Sequence, residues 1–241
     1  MKSIAKSKSP ALFENWKKSN ITAPQNLQYA NLDAAIKQAI KESLLQEQGY
    51  LCAYTLVPVN SAKDCHIEHV QAQSNAPQLG LDYNNMAACL PANGGDLSSG
   101  YGAPIKAGQQ ILHNDNFVSP HKLNVERRFT YTSNGGIAGI DTDEAAKSTV
   151  QILNLNHSGL RDLRERVIVA NGIGLRPKKS RSPIKLLSAA GARNFAQKVL
   201  EPDVDGKLVP FCTCLSQIAL RYANQEDERS ARLRGKPQTS T

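Results

Sequence analysis

Cys65-His66-Ile67-Glu68-His69-Val70 constrains this chain more than any other stretch, because it sets a carboxylate directly before a histidine on a short apolar segment. A polar loop containing Pro77 and Gly80 follows, then Tyr83-Asn84-Asn85-Met86 and the small apolar run Met86-Ala87-Ala88-Cys89. The first segment reads as a short strand, and residues 86–90 as a second strand or the start of a helix. Strand neighbours point to opposite faces. Glu68 and His69 therefore meet in one site only at a strand end or a distortion. Their chemistry is complementary. A carboxylate offers a hard oxygen to Mg²⁺ or Mn²⁺, which neutralises charge building on a phosphate. A histidine with an unperturbed pKa near ~6.5 supplies neutral imidazole to take a proton from water. An Asn after the loop braces it and the histidine. Such a set is suited to cutting a phosphodiester, whose own charge repels a nucleophile.

Glu68 is expected as metal ligand, His69 as general base and Asn85 as the brace, with Asn84 as the alternative to Asn85. A second metal ligand is expected from Asn93, the nearest oxygen donor on the far side of Cys89. Pro91 and the pair Gly94-Gly95 mark that stretch as a loop, so Asp96 or His113 are alternative ligands. His66 either faces the site or packs behind it. Cys52, Cys65 and Cys89 are scattered and read as small buried hydrophobes, and the pair Cys212 and Cys214 as ordinary helix burial. No structural zinc is expected.

Further motifs stand in consistent order around this centre: Gln48-Gly49-Tyr50-Leu51-Cys52-Ala53-Tyr54 before it, and Tyr101-Gly102-Ala103 with Lys106 after it. Glu126-Arg127-Arg128-Phe129-Thr130-Tyr131 runs into Asn134-Gly135-Gly136, and Ile152-Leu153-Asn154-Leu155-Asn156 precedes Leu160 and Arg164. Over roughly residues 40–170 the set resembles the HNH effector of Septu and retron anti-phage systems, the PtuB family. The resemblance implies a ββα-metal nuclease centre embedded in a mainly helical α+β protein. It also implies a partner, a PtuA-like ATPase of the ABC/SMC type, joined in retrons by a reverse transcriptase with its msDNA. Relatives carry Cys-Ala-Tyr-Cys where this chain has Cys52-Ala53-Tyr54-Thr55, and Thr55 supplies no thiolate for a zinc knuckle. The alternative reading is a catalytically worn HNH scaffold that binds nucleic acid or a partner. A zinc-binding adaptor is a third, disfavoured by Thr55.

The formal charge of +8 comes with clustered basic residues: Lys122, Arg127 and Arg128; Arg161, Arg164 and Arg166; Arg176, Lys178, Lys179 and Arg181. Such clusters attract phosphate backbones without reading sequence. Lys106, Arg127, Arg128, Arg161 and Arg164 are expected to contact nucleic acid; an acidic protein partner would use the same residues. Five cysteines, an odd number at irregular spacing, point to a reducing cytoplasm rather than a disulfide framework. No run is long and apolar enough to cross a bilayer, and no P-loop glycine pattern is present, so any ATPase is a separate subunit.

Four regions are expected. Residues 1–30 form a partly ordered arm. Residues 31–118 carry the nuclease region behind a helix capped by Asn31, with Leu32, Ile36, Ile40 and Leu44 on one stripe and Gly49 as its stop. An extended segment over residues 51–59 follows. Residues 119–224 hold a β-hairpin turning at Asn134-Gly135-Gly136, a helix opened by an Asp141-x-x-Glu144 capping box, a second helix through Leu160, Leu163 and Val167, and two more near 187–200 and 210–224. Residues 225–241 form a disordered tail.

Overall fold

The computed structural model describes residues 1–106, 116–173 and 186–234. Among them are the helices α1 (Ala11–Ser19), α2 (Ala34–Glu47), α3 (Ala103–Lys106), α4 (Glu144–Ile152), α5 (Ser158–Ala170), α6 (Ala189–Lys198) and α7 (Cys212–Arg234). Two antiparallel hairpins complete the α+β architecture: β1 (His66–His69) with β2 (Met86–Cys89), and β3 (Phe129–Tyr131) with β4 (Ile137–Gly139). His113 and the basic residues Arg176, Lys178, Lys179 and Arg181 lie outside the described residues.

Helix α2 buries Ile36, Ile40, Leu44 and Leu45 and packs against both strands of the first hairpin. Its cap is Asp33, whose carboxylate accepts from Ile36 N at 2.8 Å; Asn31 sits in the preceding turn instead. The chain leaves the helix through Gly49 at φ +58°, a conformation that costs glycine little. Residues 51–59 are folded rather than extended. Cys52 N donates to Val57 O and Leu56 N to Cys52 O, closing a tight knuckle bridged from Leu51 to Pro58. Gln48 fixes that knuckle to β2: its amide donates to Leu51 O and Ala88 O, and its carbonyl accepts from Ala88 N. Every polar atom of this buried side chain is thereby put to use. Pressed between α2 and the knuckle, all of β2 is buried, so it carries only Met, Ala, Ala and Cys.

The first residues depart from expectation. Met1, Ile4 and Phe13 are buried in the core. Lys6 pairs with Glu47 at 2.7 Å and also reaches Met86 O, while Ser3 bonds Glu126. A Ser/Lys-rich composition suggests disorder only where its lysines lack carboxylates and its few apolar residues lack a cavity; here both are supplied. The far end departs too, since α7 continues to Arg234, past the expected break at Gln225. The second hairpin forms as predicted, with Phe129 opposite Gly139 and Tyr131 opposite Ile137. Helix α4 begins at Glu144 with Asp143, not Asp141, as cap, accepting from Ala146 N at 2.9 Å. No helix among the described residues is long and apolar enough to cross a membrane.

Candidate active site

Strand β1 runs in register with β2, His66 opposite Cys89 and His69 opposite Met86. Regular pleating sends His66 and Glu68 to one face and Ile67 and His69 to the other. Glu68 and His69 therefore do not meet on one side of the strand. Each has an environment of its own.

On the His69 side the imidazole is 9% exposed. Its Nε2 lies 3.0 Å from Gly80 O, and the edge of the Tyr29 ring packs against it at 4.7 Å between centroids. The Gln73 amide nitrogen lies 3.2 Å from the same Nε2; the shorter contact, to a carbonyl that only accepts, favours the proton on Nε2 and the lone pair on Nδ1. Burial lowers the His69 pKa, and Lys106 adds to this, against the raising effects of the Gly80 bond and Glu68. The ring is thus neutral at neutral pH. Asn85 holds the loop that presents Gly80. Its Oδ1 accepts from Gln71 N at 2.8 Å, and its Nδ2 donates to Gln71 O at 2.9 Å and Leu79 O at 3.4 Å. Both ends of the loop are pinned by one buried amide, and Val70 N adds a bond to Asn85 O. Asn84 is exposed, and its backbone N–H bonds Asp82 in the turn before β2.

Glu68 faces a different set. Lys106 Nζ lies 2.5 Å from Glu68 Oε1 and 2.8 Å from His69 O. Tyr54 directs its hydroxyl at the same carboxylate oxygen from 3.5 Å, and His66 Nε2 stands 3.5 Å from Oε2. His66 Nδ1 donates to Pro91 O at 2.6 Å. With an acceptor at each ring nitrogen, the doubly protonated ring fits best. The His66 pKa is accordingly raised: burial opposes the shift, and Glu68 and Pro91 outweigh it. The Glu68 pKa is lowered, burial again opposing and His66 and Lys106 prevailing.

The other predicted residues scatter. Asn93 is exposed and its Oδ1 accepts from Gly95 N at 3.1 Å, while Asp96 caps the next turn through Ser98 N. The carboxyamide of one and the carboxylate of the other are used within their own turns. Gly94, between them, lies against the His66 ring so closely that a Cβ would come within 2.9 Å of it. Two of the basic residues expected at nucleic acid are buried instead. Lys106 serves Glu68, and Arg164 spends its guanidinium on Gly135 O and Leu155 O, both at 2.6 Å. Buried cations must find partners, and these find them inside the fold. Arg128 makes a two-pronged pair with Asp143. Arg127 is exposed and Arg161 half-buried.

A divalent metal at Glu68 does not fit this arrangement. Mg²⁺ or Mn²⁺ needs several oxygens converging on one point. Both carboxylate oxygens of Glu68 face N–H or O–H donors, and the nearest carbonyl, that of His69, faces the same ammonium. Among the described residues no group of three or more His, Cys, Asp or Glu side chains is arranged to hold a metal ion. Sequence reasoning missed Lys106 as the partner of Glu68, Gly80 O as the anchor of His69, and Tyr54. The place of Lys106 just after Tyr101-Gly102-Ala103, within the resemblance, was the one available signal. Comparison of the chain with protein-family models and with curated proteins finds no match.

Proposed function

We infer that this chain is an HNH-type endonuclease that hydrolyses nucleic-acid phosphodiester bonds, with His69 as the general base. What carries the reading is the His69 clamp: an imidazole with a lowered pKa, anchored to Gly80 O in a loop that Asn85 pins at both ends. A base must be unprotonated and held still to take a proton from water in line with a phosphorus. The order of hairpin, then α3 folded back so that Lys106 reaches β1, supports the same reading. Nδ1 takes a proton from water as the water oxygen bonds to phosphorus and the P–O bond to the leaving sugar oxygen breaks. That oxygen takes a proton from solvent, and the imidazolium is favoured by Glu68 and opposed by Lys106. The resemblance adds Mg²⁺ or Mn²⁺; because Glu68 as arranged does not fit it, no step is assigned to a metal. Arg127 and Arg161 remain as surface cations for a phosphate backbone.

The resemblance also places this activity under a PtuA-like ATPase, in a Septu complex or a retron with reverse transcriptase and msDNA. The test is cleavage of labelled DNA and RNA by the chain with such an ATPase, in EDTA, Mg²⁺ or Mn²⁺, with His69→Ala beside the parent. Cleavage lost in His69→Ala supports the reading, and cleavage unchanged overturns it. A second reading, a non-catalytic module that binds nucleic acid or its partner, is favoured by the saturated carboxylate of Glu68. Parent and His69→Ala that bind DNA or RNA equally, and cut it in none of the conditions, would establish that reading instead.

A further inference from the structure

Lys106 is a lysine in an unusual position: its side chain is 4% exposed and its ammonium sits between two oxygens of one strand, Glu68 Oε1 and His69 O. Aromatic faces complete the surroundings, Tyr54 with its ring centre 5.9 Å from Nζ and Phe117 at 6.0 Å. Those two rings meet edge to face at 5.8 Å and leave the ammonium a fixed place. A carboxylate and a carbonyl converging on one cation, backed by electron-rich rings, is a cation-binding arrangement. Its occupant is tethered to the chain through α3.

We propose that Lys106 is the resident cation of the Glu68 site, its ammonium filling the seat that a divalent metal takes beside such a carboxylate. Lys106 is a positioning residue here, since it is too enclosed to touch a substrate. It neutralises Glu68, fixes the carbonyl of His69 at the end of β1, and keeps divalent ions out by its charge. His66 reinforces the exclusion, because its ring stands 3.5 Å from Oε2 and covers the other carboxylate oxygen. The inference rests on the reading of the chain as an HNH-type nuclease, says what occupies Glu68 in place of a metal, and is tested separately from cleavage.

The measurement is Mn²⁺ binding to the full chain, by calorimetry and by the electron paramagnetic resonance of free ion. The parent is expected to bind Mn²⁺ weakly, and Lys106→Arg likewise, because the charge stays in the seat. Lys106→Met is expected to gain one Mn²⁺ site per chain at least about tenfold tighter than the parent's, and adding Glu68→Gln to it should abolish the gain. Equal affinity in parent and Lys106→Met, or a gain that survives Glu68→Gln, overturns the proposal. Lys106→Met also leaves a buried carboxylate without its cation, so its folding is followed by thermal melting. If it melts early, Mn²⁺ must raise its melting temperature while leaving that of the parent unchanged at matched ionic strength. An early-melting variant that Mn²⁺ does not restore overturns the proposal as well. Cleavage by the parent bears on none of these outcomes.

Discussion

His66 and His69 stand on one strand, close in sequence and on opposite faces, and their environments push them in opposite directions. Donation to Pro91 O and the carboxylate of Glu68 raise the pKa of His66 in spite of its burial. Burial against Tyr29 and the loop lowers that of His69. The difference teaches that a four-residue strand builds two electrostatic compartments from the same residue type. One is a saturated ion cluster. The other holds a neutral base. Whether the chain is a working nuclease turns on the second, and whether it uses a metal turns on the first.

The largest expected effect falls on the base. His69→Ala should reduce cleavage by about 10²–10⁴-fold and leave the fold in place, since its ring contacts only Gly80 O, the Gln73 amide and the Tyr29 ring among the hydrogen-bond and aromatic partners. Rates of parent and variant under the same partner and metal conditions decide it. Full activity in the variant would remove the base from the second compartment.

Next comes the ion cluster. Glu68→Gln leaves the Lys106 ammonium buried without a counter-charge, a loss worth about 3 kcal/mol of stability. Denaturant melts measure it. Acid gives the same information without mutation. A carboxylate whose folded pKa is depressed contributes stability above its unfolded value, and that stability is lost as pH falls through the folded value. His69, whose folded pKa is also lowered, penalises the folded state below about pH 6.5, where the unfolded ring charges and the folded ring resists. His66 has the opposite sign: it stabilises below its unfolded value and the benefit fades as pH rises through its raised folded value. The buried Met1 amine, its pKa lowered to about 5, and His121, lowered to about 4, have the same sign as His69. Melts of the parent should therefore fall as pH goes from 8 to 4, with His66 opposing the fall. A stability that climbs steadily down to pH 4 contradicts both compartments.

Asn85→Ala should cost about 1 kcal/mol, because it strands the half-buried N–H and C=O of Gln71. It should also slow cleavage more than its stability loss explains, since Gly80 is no longer fixed beneath His69.

Much of this was legible in the sequence where local rules suffice. A short apolar segment predicted β1; alternation at Phe129 and Tyr131 with the turn Asn134-Gly135-Gly136 predicted the second hairpin; and an Asn after a polar loop predicted the clamp, which needs only one amide and the backbone of Gln71 and Leu79. Strand period set Glu68 and His69 on opposite faces, and the strand end or distortion expected to unite them in one site does not occur, because β1 stays in regular register with β2 through His69. Lys106 was not legible, because a lysine is assigned to the surface until a distant carboxylate is known to lie within reach. Glu68 is far from it in sequence and is brought near only when α3 folds back on β1. Arg164 escaped for the same reason, with carbonyls at Gly135 and Leu155 as its partners. The arm at Met1–Lys6 escaped because its ordering depends on Glu47, Glu126 and Pro120, which no local pattern connects to it.

A sharper view of the comparison comes from titrating the two rings by NMR. His66 should titrate above the usual histidine value and His69 below it. In Glu68→Gln the His66 midpoint should fall, since the carboxylate raises it more than the Pro91 carbonyl does. His69 should move less and downward, because Glu68 acts on it only through charge at a distance while burial sets its direction. Equal shifts of both rings would merge the compartments into one site, as the Glu68-His69 dipeptide suggests when read without its strand.

The smallest effect is expected at Asn93, and it tests where the ion cluster ends. Asn93 is exposed and its carbonyl oxygen closes its own turn with Gly95 N, so Asn93→Ala should change neither cleavage nor Mn²⁺ binding beyond about twofold. Asp96→Ala should behave alike, because Asp96 accepts only from Ser98 within its turn. A large loss in Asn93→Ala, restored by raised Mg²⁺ or Mn²⁺, would mean that the turn opens to supply an oxygen and that Glu68 releases Lys106 when it does. The two events require each other. A second ligand is useless while an ammonium holds the first, and an ammonium that lets go leaves Glu68 needing a cation. Asn93→Ala combined with Lys106→Met therefore reports more than either alone. If Asn93 is a ligand, the Mn²⁺ affinity gained by removing Lys106 drops when Asn93 is also removed. If it is not, the gain stands, and Glu68 with water is the whole of the site that Lys106 fills.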